Sequence, residues 1–142
     1  MKRYVLDASM LLSWLLPDED VGQTIIIRQR FADSEFWAPA HWRVEVANAL
    51  CMAERRRRIQ EKGLLESLQI ISELPVIIDD GLNSGAVAAA VSLARNHRLS
   101  VYDAGYLELA IRLGAILCSF DKELIAAAAK VQLSLLPLRQ LK

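Results

Sequence analysis

The stretch that most constrains this chain is Tyr4-Val5-Leu6-Asp7-Ala8-Ser9, a short apolar run near the start of the sequence that stops on a carboxylate. Consecutive β-prone apolar residues without polar alternation predict a strand covered on both faces, as the central strand of a parallel sheet is. In such sheets ligands and reactive groups gather outside the carboxyl ends of the strands. Asp7 is then placed to act as a functional acid. It is equally placed to cap the helix that starts near Met10, and Ser9 could do the same, since Asp and Ser are both good N-caps. Taken alone, the stretch does not choose between these roles.

The rest of the chain alternates helix and strand patterns. Ser9 to Leu16 reads as a short helix ended by Pro17, and the acidic turn Asp18 to Asp20 opens a second helix reaching about Arg30. Phe36 to Ala38, before Pro39, form a strand candidate. Trp42 to Arg58 is the clearest helix, with an apolar face of Val46, Ala49, Leu50 and Ala53. Leu64 to Leu74 is another, broken by Pro75 before the strand Val76 to Ile78 and the turn Asp79-Asp80-Gly81. Ser84 to Arg95 and Ser100 to Leu113 follow as helices, the second ended by Gly114. Ala115 to Cys118 reads as a strand, Asp121 to Lys130 as a helix and Leu133 to Leu136 as a last strand. This order predicts an α/β fold in a single domain over residues 1–142, with a mostly parallel sheet of four to five short strands flanked by about seven helices.

Composition narrows the function classes. The 17 basic and 17 acidic residues balance to zero, so global charge predicts no polyanionic partner and any nucleic-acid contact must be local. Cys51 and Cys118 form no CxxC and suggest neither a zinc site nor a disulfide framework; two buried thiols in a reducing cytosol is the expectation. Lys2 and Arg3 before an apolar stretch mimic a secretory signal, but Asp7 interrupts it. No run approaches the roughly 20 apolar residues that cross a bilayer, so the chain is expected to be soluble and cytoplasmic, without a membrane partner.

Three more acids stand where a polar group is out of keeping with its surroundings: Glu45 between Val44 and Val46, Asp103 before the apolar helix Ala104 to Leu113, and Asp121 after Ser119-Phe120. Each has an ordinary explanation. Ser100-x-x-Asp103 matches a capping box in its Asp form, Asp121 can be an N-cap, and Glu45 gains from the helix dipole. Those explanations leave the joint pattern unaccounted for. Helices that follow parallel strands start at one sheet edge, so all four acids should converge there. Two carboxylates ~4 Å apart repel by roughly 4 kcal/mol at an effective dielectric of 20, so protons or cations must join them. Oxygen donors without accompanying Cys or His favour Mg²⁺ or Mn²⁺ over zinc, and such a pocket is in outline a phosphodiester-cleaving site.

Tyr4-Val5-Leu6-Asp7-Ala8-Ser9, Trp42-Arg43-Val44-Glu45-Val46-Ala47-Asn48-Ala49-Leu50, Ser100-Val101-Tyr102-Asp103-Ala104 and Cys118-Ser119-Phe120-Asp121-Lys122-Glu123-Leu124 resemble the four motif blocks of PIN-domain ribonucleases. The likeness is nearest to the VapC-type toxins of bacterial toxin–antitoxin pairs and spans nearly the whole chain in the family's order. No single block is specific; the ordered set is. The resemblance implies a PIN-like fold in which Asp7, Glu45, Asp103 and Asp121 are the acidic metal-binding quartet, with Ser119 beside the last acid and Ser9 on the small polar position after the first. It also implies a Mg²⁺-dependent endoribonuclease, a homodimer, and inhibition by a small antitoxin whose peptide segment enters the active-site groove. Gly105 departs from the family pattern, where larger residues are frequent; it is expected to loosen the start of its helix without touching the acids.

With His41 and His97 read as surface or capping residues, the expected nucleophile is metal-activated water. In-line attack leaves a 5′-phosphate and a 3′-hydroxyl, with Ser119 orienting Asp121 or water. Arg55 to Arg58 is the only dense basic run. Four consecutive helical residues cannot all face one ligand, so a solvated helix end competes with Arg43, Arg56 and Arg57 as RNA or antitoxin contacts. Glu108 is expected to be a surface or supporting acid, Asp79 and Asp80 turn formers, and Trp14, Trp37 and Trp42 packing or dimer-contact residues. Two rival functions remain: a PIN-fold nuclease with a non-toxin RNA-processing role, and a receiver-like Mg²⁺-binding signalling domain. The second wants an acidic pair after the first strand and a Lys after the last, and the sequence has neither.

Overall fold

In the computed structural model, which describes residues 2–16, 32–81 and 84–135, four strands form one sheet with every pairing parallel. The elements run β1 (Arg3–Leu6), α1 (Ala8–Leu15), β2 (Glu35–Pro39), α2 (Trp42–Arg55), α3 (Glu61–Glu73), β3 (Val76–Asp79), α4 (Ser84–His97), α5 (Val101–Leu113), β4 (Ile116–Cys118) and α6 (Lys122–Lys130). The α/β class is as the alternation predicts. Six helices are described, and the expected helix between Asp18 and Arg30 lies outside the described residues.

Strand order is β3-β2-β1-β4. The chain therefore moves from β1 through β2 to β3 in one direction, then returns to place β4 on the other side of β1. That reversal opens a crevice at the carboxyl ends of β1 and β4, the position where open α/β sheets take ligands. Register fixes the crevice: Leu6 pairs with Cys118, and the Asp7 amide donates to the Cys118 carbonyl at 3.2 Å. Leu117 bridges Leu135 in parallel, so the expected fifth strand is present as an isolated bridge among the described residues.

Val5, Leu6, Leu117 and Cys118 are buried, which is why β1 and β4 carry no alternation of polar residues. Against the sheet lies α5, packed on β1, β2 and β4 with Ala104, Tyr106, Leu107, Leu109 and Ala110 buried. Burial of one large apolar side chain contributes about 1.5–3 kcal/mol, so this helix is anchored many times over. It stops where Gly114 takes a left-handed conformation, φ 61, and turns its N–H back to the last carbonyls.

Several boundaries differ from expectation. The helix predicted over Trp42 to Arg58 ends at Arg55, because Arg57 adopts φ 60. The helix expected from Leu64 begins three residues earlier at Glu61, since Gly63 falls within the first turn and does not stop it. Asn96 and His97 stay inside α4 instead of leaving it. Cys118 is buried, but Cys51 is exposed, contrary to the expectation of two buried thiols. Trp42 is fully buried and Trp14 packs edge-on against Phe36 with ring centres 6.1 Å apart, as packing residues should. Among the described residues no helix is long and apolar enough to cross a membrane.

Candidate functional site: an acidic edge at the ends of β1 and β4

Asp7 follows the last residue of β1 and is buried. Its Oδ1 accepts from the Met10 amide at 2.9 Å and from the Ser9 hydroxyl at 2.7 Å, and its Oδ2 accepts from the Ser119 hydroxyl. Both serine oxygens also receive a backbone N–H: Phe120 donates to Ser9 Oγ at 3.0 Å and Asp121 to Ser119 Oγ at 2.9 Å. A hydroxyl has one proton, so each serine accepts from the β4–α6 turn and spends that proton on Asp7. Ser119 thus grips Asp7 while taking the Asp121 amide, a contact to Asp7 that the sequence reading did not include.

Asp7 also answers the capping question. It is the N-cap of α1, and Ser9 sits inside the helix, so the capping role does not pass to Ser9. Asp121 caps α6 in the same way, its Oδ1 accepting from Leu124 at 2.9 Å, while Ser100 caps α5 by accepting from the Asp103 amide at 3.0 Å. Helix caps and converging acids are one arrangement here, because strands that end together start their following helices together.

The charges of these acids are felt mutually. Burial pushes the Asp7 carboxyl up to about 6 from an ordinary 3.8, against the pull of its three donors, and the Asp121 charge adds to the rise. Asp103 is raised as well, first by burial, then by the charges of Asp121, Glu45 and Glu123. Tyr106, whose buried hydroxyl has no well-formed hydrogen bond among the described residues, stays a neutral phenol: burial raises its pKa first, and Glu45, Asp7 and Asp103 raise it further. Asp7, Glu45, Asp103 and Asp121 therefore share one electrostatic neighbourhood. Glu123, in the first turn of α6, belongs to its fringe and went unnoticed in the sequence beside the stronger motif residues.

The donor set suits a hard divalent cation in kind, since it offers carboxylate oxygens with no thiolate among them. Among the described residues no three His, Cys, Asp or Glu side chains are spaced to hold an ion as they stand. A cleft of about 240 Å³ opens nearby between the ends of β2 and β3 and the helices α4 and α5, lined in part by His41, Tyr102 and Arg112; none of the four acids lines it.

Of the basic candidates, Arg43 is exposed in the first turn of α2, two residues from Glu45. Arg56 and Arg57 are exposed at the opposite end of that helix, roughly 16 Å along the axis from Glu45 at 1.5 Å per residue, so the fold does not bring them to the acids. Glu108 is buried, and Asp79 is joined to it through Arg112 rather than merely forming a turn.

His41 was the larger omission. Its Nε2 lies 3.1 Å from Glu45 Oε1 and 2.9 Å from the Tyr102 carbonyl oxygen, in the residue before Asp103. The ring packs edge-on to Tyr102 and Tyr106. Gly105 faces that ring, and α5 runs through the glycine unbroken, so the expected loosening of the helix does not occur.

Comparison with known proteins identifies the family and the fold. The PIN domain family model matches residues 4–130. Ribonuclease VapC3 of Mycobacterium tuberculosis is 30% identical over 126 residues, covering 89% of this chain and 88% of that protein. Among solved structures, PAE2754 from Pyrobaculum aerophilum superposes with a TM-score of 0.71 at 21% identity, over 99% of this chain and 87% of its own. VapBC2 from Rickettsia felis, bound to a DNA fragment from their promoter, gives 0.69 at 13% identity over 94% and 97%. VapC20 of Mycobacterium tuberculosis, a sarcin–ricin loop cleaving toxin, gives 0.63 at 15% identity over 87% and 94%. At these identities the structural likeness speaks to fold alone, but the family match spans nearly the whole chain. The chain belongs to the PIN-domain family, in its VapC ribonuclease branch.

Proposed function

We propose that this protein is a Mg²⁺-dependent endoribonuclease, with Mn²⁺ as a substitute, and the toxin of a toxin–antitoxin pair. The observation that carries the reading is the shared negative field at the β1–β4 edge, where Asp7 and Asp103 are both pushed upward in pKa with the charge of Asp121 contributing to each. Groups so perturbed in a crevice are candidates for function. Asp7, Glu45, Asp103 and Asp121 would hold the ion. When bound, a divalent cation supplies the positive charge that makes water a competent nucleophile near neutral pH and offsets charge developing on the phosphate.

The chain's own groups do the rest. Ser9 and Ser119 keep their protons on the two oxygens of Asp7 and so fix its carboxylate plane. Asp7 and Asp121 are held through their caps at the starts of two helices, whose positive ends favour ionised carboxylates. Tyr106 presents a neutral phenol to the acids. Arg43, exposed in the first turn of α2, is a candidate to meet an RNA phosphate or an acidic antitoxin segment. Cleavage by in-line attack of water yields a 5′-phosphate and a 3′-hydroxyl.

The relative named a ribonuclease and the toxin named for cleaving the sarcin–ricin loop support RNA as substrate. The VapBC likeness supports a cognate antitoxin. The homodimer is proposed from the family likeness. The exposed, unpaired Cys51 suits the cytoplasm. Incubating purified protein with RNA in Mg²⁺ and then EDTA, beside Asp7→Asn, tests the reading. Cleavage that needs the metal, is lost in the variant and leaves 5′-phosphate ends is expected. Cleavage in EDTA, an active variant, or 2′,3′-cyclic phosphate ends would contradict it.

A further inference from the structure

We propose that His41 is a positioning residue for the acidic edge, a strut that sets Glu45 against the Asp103-bearing helix, and that Gly105 is the gap into which it fits. The inference rests on the cation reading above and goes beyond it to a residue pair outside the acidic motifs. A carbonyl oxygen only accepts, so the 2.9 Å contact between His41 Nε2 and the Tyr102 carbonyl requires the proton on Nε2. The same Nε2 is 3.1 Å from Glu45 Oε1, a buried oxygen without a well-formed hydrogen bond among the described residues. One N–H therefore stands between the acid of α2 and the backbone immediately before the acid of α5. With its proton there, Nε2 has no lone pair for a metal, and His41 acts on the site through Glu45 and Tyr102 alone.

His41 can reach this place only because residue 105 has no side chain. A Cβ at Gly105 would stand 2.8 Å from His41 Cε1, nearer than real Cβ atoms come, and the imidazole would have to move. Tyr106 backs the ring edge-on at 5.2 Å and Tyr102 at 5.5 Å, so the ring is held in place by aromatic contacts on α5. Ligand-orienting partners of this kind typically govern metal affinity by 10–100-fold when removed.

Two measurements test the strut. Titrating Mn²⁺ by electron paramagnetic resonance should give a dissociation constant about tenfold weaker in His41→Ala than in the wild type. His41→Gln, whose amide nitrogen can reach the same two oxygens, should recover most of the loss. Gly105→Ala should also weaken Mn²⁺ binding, yet change nothing further in a His41→Ala background, because the Cβ then meets no ring. Equal affinity in His41→Ala and wild type, or additive effects of the two substitutions, would overturn the proposal. Nitrogen-15 spectra of the metal-free protein supply the second readout: a proton on Nε2 of His41 is expected, and a proton on Nδ1 alone would overturn it. If neither wild type nor Asp7→Asn binds Mn²⁺, the cation reading falls, and the tautomer still decides for or against the strut.

Discussion

Two groups of carboxylates end up at the same side of this sheet and are treated in opposite ways. At the end of β3, Asp79 meets Arg112 in two parallel contacts of 3.1 and 2.8 Å, and the same guanidinium reaches Glu108 at 2.7 and 3.2 Å. Arg112 holds the Asp79 carboxyl below its ordinary range through these hydrogen bonds, and its own pKa is raised in return. At the end of β1, Asp7 receives only neutral donors and the charge of another acid, and its carboxyl is pushed up to about 6. The first group is complete as it stands and ties a strand to a helix. The second is left short of positive charge, a state that costs stability and that the proposed cation would relieve.

The comparison breaks most visibly in pH. Asp7 has a folded pKa above its ordinary 3.8, so its favourable contribution is full below about pH 4 and lost as pH rises through about 6. A shift of about two units sets an upper bound of about 3 kcal/mol. Asp7→Asn keeps an N-cap acceptor and should therefore stabilise the cation-free protein increasingly between pH 4 and 7, read by urea unfolding. A variant equally destabilised at every pH would show that the Asp7 carboxylate is not strained. Arg112→Met keeps the alkyl stem but strands Glu108, which is buried. It should cost about 2 kcal/mol at pH 7, discounted because Arg112 is itself partly exposed. Since the Asp79 pKa is lowered, its share is present above 3.8 and lost as pH falls through the depressed value, so this cost should shrink in acid. A penalty that grows in acid would undo the contrast. Arg56→Glu, at the far end of α2, should change stability by no more than about 0.5 kcal/mol and leave the salt dependence of RNA binding as it was. A flattened salt slope would return the arginine run to the substrate path.

How far the sequence reveals this follows from the range of each contact. The apolar run into Asp7 and the alternation of helix and strand patterns are local, so the sheet and its parallel sense could be read from residues a few positions apart, while the joint role of the four acids is proposed. The choice posed for Asp7, cap or functional acid, dissolves in three dimensions: at a strand end the cap and the convergent acid are the same atoms. Ser119 was legible as a neighbour of Asp121, but its grip on Asp7 joins positions 112 residues apart. His41 meets Tyr102 across 61 residues, and Arg112 meets Asp79 across 33. Nothing in either local pattern marks those meetings. Gly105 looked like a weak point because a glycine within a helix lowers propensity; its purpose is the ring it faces.

Whether the β1–β4 edge is incomplete without a cation is decided by the thermal midpoint with and without Mg²⁺ at pH 7.5. A ligand that binds only the folded state raises the midpoint, and carboxylate ligands must be deprotonated for it to do so. Mg²⁺ should therefore raise the midpoint of the wild type, do so less at pH 5, and leave Asp7→Asn unmoved. No shift in the wild type at pH 7.5, or the same shift in Asp7→Asn, would contradict the account.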